Sequence, residues 1–194
     1  MNAGAQQRDR VAVLVKTNPA GALELARTIQ DPWFRCQALS FAAEHGPDPR
    51  SQERAIDEAF AAASELSEPN TVVTVSSWPV KALALTGHVS RIGSEVERLL
   101  QLISTEPSPV RRADALRSLF EAVSRAPAAV AVRVAQEFSA ACLAPLKSGK
   151  RNRKGESHLE YCLPAIARID SDLASDLRIR LTALRSERAA RALR

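Results

Sequence analysis

Asn18-Pro19-Ala20-Gly21-Ala22-Leu23-Glu24-Leu25-Ala26-Arg27-Thr28-Ile29 decides the fold of this 194-residue chain. It opens with a residue whose side chain can accept a backbone N–H. A proline follows at the position where a helix has no use for its own donor. Ala22, Leu25 and Ile29 then fall three and seven positions apart, on one face of a helix. The same triplet returns as Ala59-Ala62-Leu66, Val96-Leu99-Ile103, Ala135-Phe138-Cys142 and Ala174-Leu177-Leu181, the starts stepping by 37, 37, 39 and 39 residues. Between the triplets lies a second set of apolar pairs, Ala38-Leu39, Ala82-Leu83, Ala115-Leu116 and Cys162-Leu163.

One triplet and one pair in each period predict a helical hairpin of about 38 residues, repeated along the chain. The punctuation agrees. Asp31-Pro32, Asp48-Pro49 and Ser108-Pro109 repeat the cap-plus-proline signal, and Gly46 and Gly87 read as helix stops. Ser157-His158-Leu159-Glu160 has the spacing of a capping box. Helices are expected near 5–16, 19–30, 32–45, 49–66, 70–86, 90–104, 109–125, 127–146, 157–169 and 171–192. Pro79 is expected to break the fifth and Pro164 to kink the ninth.

Composition supports an all-α chain. Hydrophobic residues make up 45%, but Ala, Leu and Val carry that share while aromatics reach only 4%. Small side chains suit closely packed helices better than strands, which favour β-branched and aromatic residues. A chain of this length can bury roughly 70% of its unfolded surface. No apolar run approaches the ~20 residues of a membrane helix, and no targeting segment is visible. The three cysteines, Cys36, Cys142 and Cys162, have no scaffold spacing, which points to reduced thiols and the cytoplasm.

Asp31-Pro32-Trp33-Phe34-Arg35-Cys36-Gln37-Ala38-Leu39 and Pro109-Val110-Arg111-Arg112-Ala113-Asp114-Ala115-Leu116 resemble the second helix of HEAT-type repeats, which opens with Asp, then Val-Arg, then Ala-Leu. The period also suits tetratricopeptide-like arrays, whose Trp, Leu-Gly and Tyr pattern is absent. The resemblance implies a right-handed α-solenoid of four to five antiparallel hairpins spanning 1–194 as one domain, with residues 171–192 as a capping helix. Second helices in such arrays line a concave, partner-binding surface.

Nothing resembles an active site. His45 and His88 fall at helix C-termini, where the dipole favours an imidazolium. His158 and Cys162 are four apart on one face, with Cys142 the nearest further zinc ligand, but thiols packed as small hydrophobes explain them as well. Ser148-Gly149-Lys150 lacks the upstream glycine of a phosphate loop. Asp57-Glu58, Glu95 and Glu97 read as solvated helix faces. No cofactor, metal or catalytic residue is expected. Alkylpurine DNA glycosylases are also built on HEAT-like repeats, yet Trp33 with Asp31 is all this chain offers toward such a cleft.

Charge is unevenly placed. Residues 1–146 hold 15 Lys or Arg against 16 Asp or Glu, whereas 147–194 hold 12 against 6. The segment 147–156, with Lys147, Lys150, Arg151, Arg153 and Lys154, reads as a basic loop able to meet phosphates or an acidic partner. Trp33 shares a stripe with the polar Gln37, Ser40 and Glu44 and is a candidate binding anchor. Trp78, in line with Val75, Ala82 and Leu85, reads as core. The expected function is a non-enzymatic protein-interaction module using Trp33 and Gln37. The alternative is nucleic-acid or phosphate binding through Lys147, Lys150, Arg151, Arg153, Lys154 and the Arg-rich last helix.

Overall fold

A computed structural model describes residues 3–146 and 148–192, and among these the chain is helical throughout, with no strand. The helices are α1 (Ala3–Leu14), α2 (Pro19–Arg27), α3 (Pro32–Glu44), α4 (Pro49–Ser64), α5 (Pro69–Leu85), α6 (Val89–Ser104), α7 (Pro109–Ala122), α8 (Ala128–Leu143), α9 (Arg153–Ile169) and α10 (Ser171–Ala192). A 3₁₀ turn, Val123–Arg125, extends α7. None of the described helices is long and apolar enough to cross a membrane.

The caps set the boundaries. Asn18 Oδ1 accepts from Gly21 N at 3.0 Å, Asp31 Oδ1 from Trp33 N at 2.9 Å, and Asp48 Oδ1 from Arg50 N and Ser51 N at 2.9 and 3.0 Å. Ser108 caps α7 in the same way, and each of the four is followed by proline. A cap of this kind contributes about 1 kcal/mol. Gly87, at φ +80°, ends α5 with His88 N reaching back to the Leu83 carbonyl at 3.0 Å. That left-handed position favours glycine.

Each helix packs on its sequence neighbour, and each odd-numbered helix also packs on the next odd one, α1 on α3, α3 on α5, α5 on α7 and α7 on α9. The triplets read from the sequence all lie on even-numbered helices or the residues just after them. Thirteen of their fifteen residues are buried, with Leu25 and Leu66 half-buried. Two apolar clusters result. One gathers α1 to α5 around Ile29, Leu39 and Val75, and the other runs from α3 to α10 and contains the stacked Phe120–Phe138 pair at 5.9 Å.

Two expectations need correcting. Pro79 does not break α5, which runs unbroken from Pro69 to Leu85. A proline there leaves the carbonyl four residues back without its helical donor. That carbonyl belongs to Val75, and the Cys36 thiol of α3 donates to it at 3.5 Å. The neighbouring helix thus supplies a partner for the carbonyl that Pro79 leaves without one. Helix α9 contains Pro164 within its span, and it begins at Arg153 rather than at Ser157. Its cap is Asn152, whose Oδ1 accepts from Gly155 N at 3.0 Å, so Arg153, Lys154, Gly155 and Glu156 are first-turn helix and not loop.

Gly155 is buried where α9 crosses α8. A Cβ there would lie 2.5 Å from the Cys142 carbonyl oxygen and 2.7 Å from the Cys142 Cα. This glycine is a close backbone approach and not a loop hinge.

Candidate functional site

The odd-numbered row defines the surface with the most chemistry on it. Helix α3 has no exposed residue, and α5 exposes only Lys81 and Leu85. Both are flanked on either side by other odd helices, so one narrow stripe of each reaches the surface. On α3 that stripe is Phe34, Phe41 and Glu44, in line with the buried Gln37; on α5 it is Thr74, Trp78, Lys81 and Leu85, both at helical three-and-four spacing.

Contacts between stripes fix their register. Phe41 and Trp78 meet edge to face at 5.2 Å, and Lys81 Nζ lies 3.4 Å from Glu44 Oε1 and 5.8 Å from the Trp78 ring. A cleft of about 300 Å³ joins the C-terminal part of α5 (Lys81, Ala84, Leu85) to that of α7 (Glu121, Ala122) and to Ser124 and Arg125 beyond it. Between α7 and α9, Asp114 takes Lys154 Nζ at 2.6 Å and His158 Nε2 at 2.7 Å. Partial burial alone would raise the Asp114 carboxyl, but these two partners outweigh it and hold it below the usual carboxylate range.

The expected site residues divide between this face and elsewhere. Trp33 is half-buried against the N-terminal apolar cluster, as are Phe34 and Phe41 on the same helix. Gln37 is only 5% exposed, and its Oε1 accepts from Arg8 Nη1 at 2.8 Å. The polar stripe of α3 is thus largely sealed by α1. Trp78, expected in the core, is half-buried on the surface stripe instead, because Phe41 covers one side and leaves the other open.

Of the four described basic candidates, Arg151 and Lys154 are engaged. Arg151 grips Glu156 through Nε at 2.8 Å and Nη2 at 2.5 Å, while its Nη1 donates to the Leu184 carbonyl at 2.5 Å and ties α9 to α10. Lys154 is held by Asp114. Lys150 and Arg153 are exposed, the former in a tight turn in which Gly149 adopts φ +72°. Lys147 lies outside the described residues.

No catalytic or metal chemistry assembles around the remaining candidates. Asp31 spends its carboxylate as a helix cap, which removes the acid from a Trp33 cleft. His158 Nε2 is committed to Asp114, and among the described residues no three His, Cys, Asp or Glu cluster to hold a metal. Burial pushes the Cys36 thiol up to about 12 and Cys162 to about 11, and raises Cys142 as well. All three stay protonated at neutral pH, unlike a nucleophilic or ligating cysteine.

Sequence reasoning missed the Arg35 and Arg112 pair in its structural role. Each lies four residues after a cap and reaches back six to a carbonyl of the preceding connection, Arg35 Nη1 to Ile29 O at 3.0 Å and Arg112 Nη2 to Glu106 O at 2.6 Å. The shared cap-Pro-x-x-Arg spacing was the available signal.

These features define an all-helical protein of paired, row-forming helices. Its fold is similar to that in the crystal structure of Ton1535 from Thermococcus onnurineus NA1, with a TM-score of 0.58 and 14% sequence identity. The match covers 96% of this chain and 59% of that one, so this chain spans less than two thirds of that protein's length. At that identity the likeness is one of fold. No protein-family model matches the chain, and no curated protein matches it.

Proposed function

We propose that this chain is a non-enzymatic interaction module, a short right-handed α-solenoid of HEAT-like hairpins that binds a protein partner on the face of its odd-numbered helices. The observation that carries this reading is the Phe34–Phe41–Trp78 stripe. Aromatic side chains are held there half-buried by α3 and α5, helices otherwise packed on every side. Rigid, partly exposed aromatics are the usual anchors of an interface. The period near 38 residues and the matched Arg35 and Arg112 contacts support the repeat, and the spent thiols, His158 and Asp31 support the absence of catalysis.

The test is capture from the protein's own cell extract by the intact chain and by a Phe41→Ala/Trp78→Ala variant of unchanged helicity. A partner held by the first and lost by the second supports the reading; a partner held equally by both removes this face. Nucleic-acid binding by the basic end has less support, since Arg151 and Lys154 are spent on carboxylates of the chain itself. It predicts retention of DNA or RNA at low salt that falls away between roughly 50 and 200 mM. No retention at low salt ends it.

A further inference from the structure

We infer that the partner of the odd-helix face is an acidic polypeptide segment, seated across α3, α5 and α7. An apolar side chain lies on Phe41 and Trp78, and carboxylates lie on Lys81, Arg117 and Arg125. This inference rests on the interaction-module reading above and names the chemistry of its partner.

Three observations meet at this place. The cleft between the C-terminal parts of α5 and α7 has apolar lining from Ala84, Leu85 and Ala122, with Lys81 and Arg125 beside it and Glu121 and Ser124 completing its wall. Leu85 is among the few large hydrophobic side chains exposed in the described residues. Apolar lining beside cations is complementary to a segment that alternates apolar and acidic residues.

The second observation is the state of the cations. Arg125 is exposed and makes no ion pair among the described residues. Arg117 lies one turn before Glu121 on the same stripe. Its Nε is buried without a hydrogen-bond acceptor, and the nearest carboxylate oxygen, on Glu121, is 3.8 Å away. Lys81 has Glu44 at 3.4 Å and otherwise rests over Trp78. Three cations thus face two carboxylates, and the donors are incompletely used. Helix C-termini attract cations, but that influence fades within the last turn. Lys81 and Arg117 both lie further inside their helices than that.

The third observation is the opposite face. There three arginines each meet two or three carboxylates: Arg27 has Glu24 and Glu58, Arg91 has Glu53, Asp57 and Glu95, and Arg133 has Glu97 and Glu137, while Arg54 and Arg98 each meet one. Helices α2, α4, α6 and α8 carry seven carboxylates against six arginines, whereas on the odd face three cations meet two carboxylates, so an acidic segment is favoured on the odd face.

A random peptide library of about 16 residues, long enough for a helix with apolar anchors at i, i+3 and i+7, is selected against the immobilised full chain. The enriched peptides are then measured by fluorescence anisotropy. The expected winners carry net negative charge with spaced apolar residues. Their affinity falls at least about tenfold on Lys81→Glu/Arg125→Glu and is unchanged by Arg54→Glu on the even-helix face. Both altered positions are exposed, so the variant keeps its fold, which circular dichroism verifies. Winners that are basic or uncharged, or that bind the Lys81→Glu/Arg125→Glu variant undiminished, overturn the acidic partner. They leave the interaction-module reading standing. If the library yields no binder and the extract yields no partner, both fail together.

Discussion

The odd-numbered and even-numbered helices of this protein are built on different physics. Helices α3 and α5 are enclosed except for one narrow stripe each, and α3 carries no exposed residue at all. Helix α6 is the reverse, with Ile92, Val96, Leu99 and Ile103 buried along one stripe and a polar remainder in solvent. Successive odd helices meet through apolar and aromatic side chains, with polar contacts at Arg8–Gln37, Lys81–Glu44 and Asp114–Lys154/His158. Of the even helices, α6 and α8 pack directly, and long charged side chains bridge α2 to α4, α4 to α6 and α6 to α8. Small residues let backbones approach, while arginines span the gaps where they do not. One row is therefore fixed by packing and the other by charge, and the two should respond to different perturbations.

The largest effect is expected from the packed row. Leu83 of α5 is fully buried, so Leu83→Ala loses its transfer energy and leaves a cavity, costing about 2–5 kcal/mol in urea unfolding. If removing an arginine from the even row costs as much, the contrast between the rows is wrong. A sharper probe uses two glycines of opposite surroundings. Gly155→Ala drives a Cβ into the Cys142 backbone and is expected to destabilise by about 1–3 kcal/mol. Gly93→Ala in α6 meets nothing within 4 Å and should stabilise by up to about 1 kcal/mol through helix propensity. The same substitution thus changes sign between a helix crossing and a charged face. Equal signs for the two would show that propensity, not the crossing, controls Gly155.

How much of this was legible in the sequence follows from the range of each interaction. Helix starts at Asn18, Asp31, Asp48 and Ser108 could be read because cap, proline and first turn are contiguous. The start of α9 was hidden, since Asn152 sits inside a basic run and the better-looking capping box at Ser157 lies within the helix. The continuity of α5 through Pro79 could not be read at all, because the compensating thiol stands 39 residues upstream. The residues singled out as candidates could be assigned to helix faces, but not to their surroundings. Trp33 and Gln37 lie on α3, but α1 covers Gln37, while Trp78 surfaces because its neighbour on α3 is Phe41. Periodicity assigns a residue to a helix face; it does not say which neighbour covers that face.

The Cys36–Val75 contact is a smaller test of the packed row. Cys36→Ala removes the donor and leaves a buried carbonyl unpaired beside Pro79, for an expected loss of about 1–3 kcal/mol. Cys36→Ser restores a donor and should recover part of it. If serine is no better than alanine in thermal unfolding, α5 does not depend on this bond for its continuity.

The smallest effects belong to the charged row, where salt and acid are the appropriate probes. Arg27→Ala or Arg91→Ala should each cost no more than about 1 kcal/mol at low salt, and less at high salt, since partly exposed ion pairs are screened. Acid works on the same row through Glu58, whose carboxyl the hydrogen-bonded Arg27 guanidinium holds below the ordinary glutamate range despite partial burial. A carboxyl depressed in the folded state contributes stability that is present above its unfolded pKa and lost as pH falls through its folded one. Wild-type stability should therefore decline below about pH 4, and Glu58→Gln should flatten part of that decline while lowering stability at pH 7. Leu83→Ala should keep the acid slope of wild type and merely shift the curve down. If Leu83→Ala steepens the slope, or Glu58→Gln leaves it untouched, the charged row is not an independent element of this fold.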